Sequence, residues 1–285
     1  MSAAQRCLAL VLVAGVLGLS GAQCPFLRPQ GEDYSYLPPA LPPSPTLQQV
    51  IEAVHANAAQ IRSFATNDAT LSGTGFPALR ASVAFERPWR FRLIAGTGVT
   101  GPEVDVGSND AVFWFWVRRS EPPALYYCRH EEFATSPMRQ QLAVDPYWLI
   151  EAFGIAWLDP NLTHSNPIPT PNGHYEIHTR LQTPQGPATK VTVIDGVRAW
   201  VLEQRIYDGQ GRLLASATTS RFRRDPLSGA FLPTVIEVRS PPHQFAMRLD
   251  LASVSVNRAL GDPERLWALP QYPGWPAVNL CSAAQ

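Results

Sequence analysis

The sequence predicts a mainly β (α+β) fold, in which about eleven strands form a single, strongly curved antiparallel sheet capped by helices. In residues 78–130, apolar and polar side chains alternate along short segments that end at Gly, Pro, Asn or Asp. This two-residue period is typical of half-buried strands. Residues 175–256 repeat the pattern, and an apolar stripe of helical period follows Thr46. One curved sheet with helices packed against it accounts for all three patterns.

The first residues predict an export signal. Arg6 supplies a positive start, residues 8–19 are an unbroken run of small and apolar side chains, and Ser20–Ala22 offers a cleavage site of small residues. The run is too short for a permanent membrane-spanning helix. We therefore expect residues 1–22 to be a signal peptide that directs the chain across a bacterial inner membrane.

Cys24 leaves two fates open for the mature chain. Bacterial lipoprotein signals resemble Leu-(Ala/Ser)-(Gly/Ala)-Cys, but here Gln23 separates the small residues from Cys24. Glutamine is poorly suited to a cleavage pocket that selects small residues, whereas an ordinary cut before Gln23 suits Ser20–Ala22. Lipidation of Cys24 would anchor the protein to the outer membrane, and the ordinary cut would leave it in the periplasm.

The cysteine count bears on the same question. Cys7 lies inside the predicted signal, which leaves Cys24, Cys128 and Cys281, an odd number for an oxidising compartment. If Cys24 carries lipid, Cys128 and Cys281 can pair, and the bridge would tie a mid-sheet strand to the C-terminal tail. Two free thiols are the alternative. The sequence has no Cys-x-x-Cys, so we expect no redox or zinc site and no cofactor.

Composition divides the chain into the predicted signal peptide and three further parts. Residues 23–45 are Pro-rich and predict an extended linker. Residues 46–257 hold the helical and strand patterns and predict one folded domain, and residues 258–285 predict a tail. A second helical piece is expected after Asp145-Pro146, where four apolar residues recur at three- and four-residue steps: Tyr147, Ile150, Phe153 and Trp157.

The first helix is predicted from Thr46 to about Arg62. Thr46 can cap it, and Gln49 occupies the capping-box position. Its apolar stripe is formed by Leu47, Val50, Ile51, Val54, Ala58 and Ile61.

Charge and motifs argue against several functions. Lys+Arg and Asp+Glu both number 23, so no basic field favours nucleic acid. His174 and His178 share a face of a predicted strand with Glu176, but strand rise places the two histidines about 13 Å apart, too far to share a metal. The glycine-rich residues 96–101 lack the Lys-Ser/Thr and the helix of a phosphate loop, so we expect a hairpin. No nucleophile elbow is present, and we expect no enzyme.

The element order resembles a known family. An export signal, an amphipathic helix, a run of meandering strands, a mid-chain helical insertion and a second run of strands resemble the LolA and LolB lipoprotein carrier and receptor superfamily. Residues 107–116, Gly-Ser-Asn-Asp-Ala-Val-Phe-Trp-Phe-Trp, also resemble a segment of uncharacterised exported bacterial proteins of that superfamily. The resemblance covers residues 46–257. It implies an open half-barrel whose helices form a lid on the concave face, and no local motif places the lid arginine of known carriers.

The resemblance implies a non-enzymatic, monomeric protein that binds a lipid or lipoprotein acyl chain in lipid or lipoprotein trafficking. The expected ligand contacts come from inner strand faces and from the lid helix: Val83, Phe85, Trp89, Phe91, Leu93, Phe113 and Phe115, with Leu47, Val50 and Val54. A structural or interaction module of the cell envelope, with a filled core on the same scaffold, is the alternative. Trp114 and Trp116 would face the other side of the sheet and need a cover.

Overall fold

The computed structural model describes residues 33–136, 139 and 147–282. They belong to one compact unit, Glu32–Gln285. The predicted signal peptide, residues 1–22, and Cys24 lie outside the described residues. Within the described part, no helix is long and apolar enough to cross a membrane.

Within the described part of the chain, fifteen strands form one sheet. Their bounds are β1 Ser63–Gly73, β2 Phe76–Glu86, β3 Arg90–Thr97, β4 Gly101–Ser108, β5 Val112–Val117, β6 Leu125–Arg129, β7 Ile168–Pro169, β8 His174–Thr183, β9 Gly186–Asp195, β10 Val201–Asp208, β11 Leu213–Arg224, β12 Phe231–Ser240, β13 Phe245–Leu251, β14 Ser255–Val256 and β15 Ala277–Asn279. The order across the sheet is β15-β6-β5-β4-β3-β2-β1-β13-β12-β11-β10-β9-β8-β7, and β14 pairs with β1. The pairings are antiparallel except for β15 with β6. The single curved antiparallel sheet is therefore confirmed.

The sheet has more strands than the sequence predicted. The expected strands lay within residues 78–130 and 175–256, and β1 lies outside both ranges. The strand continues through Asn67 and Asp68, where the register of β1 against β2 shifts between Thr66 and Ala69. Such a bulge places an extra residue in a strand and keeps the pairing on both sides. The other additional strands, β7, β14 and β15, have two or three residues each.

Two meanders make the half-barrel. β1 to β6 form the first and β7 to β13 the second, and β1 joins them by pairing with β13. Inward-facing residues of both meanders belong to one apolar cluster. On β2 and β3, for example, Val83 lies opposite Leu93 and Phe85 opposite Phe91, and all four are buried. The two-residue period has therefore put the apolar side chains on the concave face, as predicted.

Among the described residues, these α-helices accompany the sheet: α1 Leu47–Ala59, α2 His130–Phe133, α3 Trp148–Ala152 and α4 Pro263–Leu266. The capping box of α1 is confirmed, since Thr46 Oγ1 accepts from the Gln49 N–H and Gln49 Oε1 accepts from the Thr46 N–H. α1 ends at Ala59, before the end predicted at about Arg62. The Arg87 guanidinium donates to Ala58 O, in the last turn of α1, and to Ile61 O, just beyond the helix.

The second predicted helix is shorter than its apolar period suggested. α3 has five residues, and Gly154 follows with a φ of +79°, a conformation that ends helices. Phe153 and Trp157 therefore lie outside the helix. Phe153 contacts Phe64 and Phe91 in the main core, with ring centroids 5.9 and 5.2 Å apart.

Both ends of the described chain pack on the half-barrel. Tyr34 and Leu41, from the Pro-rich segment, are buried. Arg198 donates hydrogen bonds to the carbonyl oxygens of Tyr34, Leu37 and Pro38. At the other end, β15 extends the sheet beside β6.

The C-terminal segment covers Trp114 and Trp116 on the convex face of β5. Trp116 stacks on Tyr272 at 3.7 Å between centroids and meets Trp275 edge to face at 5.5 Å. Gly107 lies opposite Trp114 in the β4–β5 pair, and a Cβ at that position would collide with the indole ring. The glycine therefore lets Trp114 lie flat on the sheet, which gives a physical reason for part of the segment 107–116.

Candidate ligand site

A cavity of about 580 Å³ lies between the α3 segment and the inner face of β8–β10. Its volume falls in the range of about 300–1,000 Å³ usual for small-molecule sites. The wall is mainly apolar and includes Phe85, Trp89, Trp148, Ile150, Ile155, Trp157, Leu162, Leu181 and Ile206. Arg87, Arg139, Glu151, Asp159 and Lys190 also line it. The cavity therefore offers apolar surface together with a few charges.

Polar contacts fix α3 over this cavity. The Trp148 indole N–H donates to Gln204 Oε1 at 2.9 Å, and Gln204 Nε2 donates to the Glu151 carbonyl at 3.2 Å. Lys190 Nζ lies 2.8 Å from Glu151 Oε2. Gln204 and Lys190 are both buried on the inner face of the sheet. Buried polar groups need partners, so these three contacts specify where α3 sits.

The mouth of the cavity carries half-exposed apolar side chains. Trp89, Trp157 and Leu162 line the cavity and remain partly open to solvent. Trp89 packs against Tyr147, with ring centroids 5.2 Å apart. An apolar rim of this kind suits a ligand or surface that is itself apolar.

Tyr147 connects the mouth to the first meander through His130. Tyr147 Oη is 2.6 Å from His130 Nδ1, and His130 Nε2 is 2.7 Å from the Asn109 carbonyl oxygen. A carbonyl oxygen can only accept, so Nε2 donates to Asn109, while Nδ1 shares a hydrogen bond with the tyrosine hydroxyl.

Trp157 is held against α1 by His55. The two rings stack at 3.6 Å, and the Leu158 N–H donates to His55 Nε2 at 3.1 Å. Burial lowers the pKa of His55 below its ordinary value, and the positive charge of nearby Arg87 acts in the same direction. The accepting nitrogen must be unprotonated, so this contact requires neutral His55.

We expect acid to weaken this contact and the fold with it. The pKa of His55 is lower in the folded chain than the ordinary value of about 6.5 in the unfolded chain. Below about pH 6.5, the unfolded chain therefore binds a proton that the folded chain does not. The contribution of neutral His55 is complete above that pH and is lost as the pH falls further.

Urea unfolding at about pH 7.5 and pH 5.5 measures this contribution. The free energy of unfolding should depend less on pH in His55→Gln than in the wild type. His243→Gln removes an exposed histidine and is the matched control. Equal pH dependence in the wild type and His55→Gln would contradict the expectation.

The ten predicted ligand residues fall into separate places. Phe85 and Trp89 line the cavity, and Val83, Phe91 and Leu93 belong with Phe85 to the main core. The lid residues Leu47, Val50 and Val54 belong to a second cluster, in which they meet Ile177, Ile194 and Val201 at the β8–β10 side. In the described structure the first part of the α1 stripe therefore packs on the second meander, whereas Ala58 and Ile61 belong to the main core with residues of β2 and β3.

Phe113 and Phe115 lie at the other end of the sheet. Phe113 packs with Phe133 beside Cys128 and Cys281. These two cysteines are joined by a disulfide, with Cα atoms 5.5 Å apart. Phe115 is partly exposed and stacks on Tyr126 at 5.1 Å.

The polar motifs considered in the sequence have structural partners. His174, Glu176 and His178 lie on β8, and Glu176 binds Arg205 at 2.6 Å. Residues 96–101 connect β3 to β4 as a hairpin, as predicted. Among the described residues, no group of three His, Cys, Asp or Glu side chains is placed to hold a metal ion.

Sequence reasoning missed Lys190, Glu151 and Gln204. Lys190 interrupts a run of small and β-branched residues from Ala188 to Ile194, and it is the only lysine among the 23 lysine and arginine residues of the chain. The presence of a single lysine was the sequence signal that could have drawn attention to this position. Its partner Glu151 is 39 residues away and could be found only from the fold.

No protein-family model and no curated protein matches the sequence. Among solved structures, a domain from Vibrio parahaemolyticus assigned to outer membrane lipoprotein sorting is similar with a TM-score of 0.52 and 9% identity, over 75% of this chain and 94% of that one. A DUF1329 family protein from Desulfovibrio piger reaches 0.46 with 13% identity, over 76% and 97%. A LolA superfamily protein from Nitrosomonas europaea reaches 0.45 with 12% identity, over 77% and 97%. The fold assignment rests on the first of the three: the chain shares the fold of that domain over three quarters of its own length.

Proposed function

We propose that the protein is a non-enzymatic carrier or receptor for lipid or lipoprotein acyl chains in the bacterial cell envelope. The observation that carries this proposal is the largely apolar cavity between α3 and β8–β10, with Trp89, Trp157 and Leu162 at its mouth. The shared fold with a domain assigned to lipoprotein sorting supports a role in trafficking.

The energetics favour an acyl chain as the ligand. Moving apolar groups out of water is worth roughly 0.8 kcal/mol per methylene, so a chain of about sixteen carbons represents on the order of 12 kcal/mol. A cavity with apolar walls recovers part of this energy. The cavity also argues against the alternative of a purely structural module with a filled interior.

The proposed location is the periplasm or the periplasmic side of the outer membrane. The Cys128–Cys281 disulfide supports an oxidising compartment. The bridge leaves Cys24 as the remaining cysteine of a chain cleaved after residue 22. Incorporation of a palmitate analogue in cells, compared between the wild type and Cys24→Ala, distinguishes the anchored form from the soluble one.

Ligand binding can be tested with the neutral dye N-phenylnaphthylamine, whose fluorescence rises in apolar sites. We expect the purified protein to bind the dye and long-chain amphiphiles to displace it. Leu181→Glu should weaken dye binding at least about tenfold, because it places a carboxylate in the apolar wall.

Leu227→Glu is the control, since Leu227 is 77% exposed and does not line the cavity. Urea unfolding of both variants checks that they are folded. Absence of dye binding by the wild type, or equal binding by folded Leu181→Glu, would overturn the proposal.

A further inference from the structure

We infer that the cavity selects amphiphiles with an anionic head, a long-chain carboxylate in particular, and that Lys190 binds that head. In this scheme, the ligand carboxylate replaces the Glu151 carboxylate at Lys190 Nζ. The inference rests on the proposed function and names the class of ligand that the same cavity takes.

The identity of residue 190 is the first argument. The chain uses arginine at every other cationic position and has its one lysine on the wall of this cavity. Lys190 lies on the inner face of β9, opposite Ile206 of β10, and is buried. A buried ion pair generally adds no more stability than apolar side chains of similar volume. Its contact with Glu151 positions α3, but stability alone gives no reason for an ammonium group here.

The two partners differ in how easily they can leave the pair. The Lys190 side chain is 10% exposed, whereas that of Glu151 is 25% exposed. Glu151 lies on the five-residue α3, so its carboxylate has a short path to water at the cavity wall. Lys190 is held on a central part of β9 between β8 and β10. A ligand carboxylate can therefore take the place of Glu151 while the buried ammonium keeps an anionic partner.

The other charged residues of the cavity also favour an anionic ligand. Among the described lining residues, Arg87 and Lys190 are cationic. Arg87 donates to main-chain oxygens of Ala58 and Ile61, and within the described residues no carboxylate lies at ion-pair distance from it. Arg87 therefore adds a positive charge that no described carboxylate neutralises, which favours an anionic head over a cationic or neutral one.

Competition between palmitate and methyl palmitate tests the inference, because the two share a chain and differ in the charge of the head. Each is titrated against the N-phenylnaphthylamine complex of the full chain. Palmitate should displace the dye at lower concentration, and Glu151→Gln should increase the acid-to-ester preference at least about tenfold by removing the competing carboxylate. Lys190→Met should abolish the preference, so that acid and ester displace the dye at similar concentrations.

The double variant Lys190→Met/Glu151→Gln guards against misfolding, because it leaves neither charge unpaired. It should bind the acid and the ester at similar concentrations. Lysine-selective isotope labelling gives a second measurement, since the chain has a single lysine whose side-chain resonance should shift with palmitate and much less with the ester.

The outcomes separate the two proposals. Failure of both amphiphiles to displace the dye would overturn acyl-chain binding itself. Displacement by acid and ester at equal concentrations, or a preference that persists in Lys190→Met, would overturn the head-group role and leave acyl-chain binding intact.

Discussion

Replacing Asp105 with alanine is expected to destabilise the protein by about 3–5 kcal/mol, the cost of removing one partner from a buried ion pair. The Asp105 side chain is 0% exposed and that of Arg92 is 12% exposed, and Arg92 Nη2 lies 2.9 Å from Asp105 Oδ2. The carboxylate also accepts from the Trp114 indole N–H at 3.1 Å and from the Tyr272 hydroxyl at 2.7 Å. Alanine would leave these three donors without their common acceptor.

The same contacts join the C-terminal segment to the sheet. Tyr272 stacks on Trp116, and burial together with the Asp105 carboxylate raises the pKa of its hydroxyl. Arg92 Nη1 donates to the Leu266 carbonyl at 2.8 Å. Loss of Asp105 should therefore loosen the cover of Trp114 and Trp116 as well as lower the free energy of unfolding.

Asp110→Ala provides the matched control. Asp110 pairs with Arg90 on the same strand as Arg92, but its side chain is 59% exposed. Solvent-exposed ion pairs contribute about 0–1 kcal/mol to the free energy of unfolding. Urea unfolding followed by tryptophan fluorescence compares the two variants, and a cost for Asp105→Ala no larger than that for Asp110→Ala would refute the expectation.

Local patterns were enough to predict the main elements. The two-residue period of β2 and β3 identified their inner faces, and the Thr46–Gln49 capping box placed the start of α1. Both signals involve neighbours a few residues apart in the chain. The sequence analysis did not predict β1, whose alternation is interrupted by the bulge between Thr66 and Ala69.

Contacts between distant residues could not be predicted in this way. The convex cover of the sheet depends on Tyr272, which is 167 residues from its partner Asp105, in a segment without strand alternation. The alternation of β5 showed that Trp114 and Trp116 needed a cover, but it did not show which residues would supply it.

In the candidate site, too, local patterns were predictable and contacts between distant residues were not. The stripe on α1 correctly identified its buried face, yet periodicity does not say which part of the sheet that face meets. This face packs against the second meander, where Ile177 and Ile194 lie in contact with the cluster of Leu47, Val50 and Val54. The cavity instead lies beside α3, whose position depends on Gln204 and Lys190.

The Cys128–Cys281 disulfide is the other feature whose loss should have a large effect. The bond joins residues 153 positions apart. In the chain-entropy model, a loop of this length corresponds to on the order of 5 kcal/mol, and removal of native disulfides typically costs about 2–5 kcal/mol. We expect the double variant Cys128→Ala/Cys281→Ala to lose stability within that range.

The bridge also fixes the end of the segment that covers the tryptophans. Cys281 follows β15, and Tyr272 and Trp275 lie shortly before it. Without the bridge, this segment keeps its contacts to Asp105 but its free end can separate from β6. Tryptophan emission should therefore shift to longer wavelength at lower urea concentrations than in the wild type, because Trp116 enters water when the segment leaves.

Reductant supplies the control for this prediction, because it acts on the same bond without a substitution. A reducing agent should lower the urea midpoint of the wild type toward that of the double variant and leave the double variant unchanged. Equal midpoints for the oxidised wild type and the double variant would show that the noncovalent contacts of Tyr272 and Trp275 hold the segment by themselves. An intermediate emission change before global unfolding would show that the segment 258–282 detaches from the sheet as a separate step.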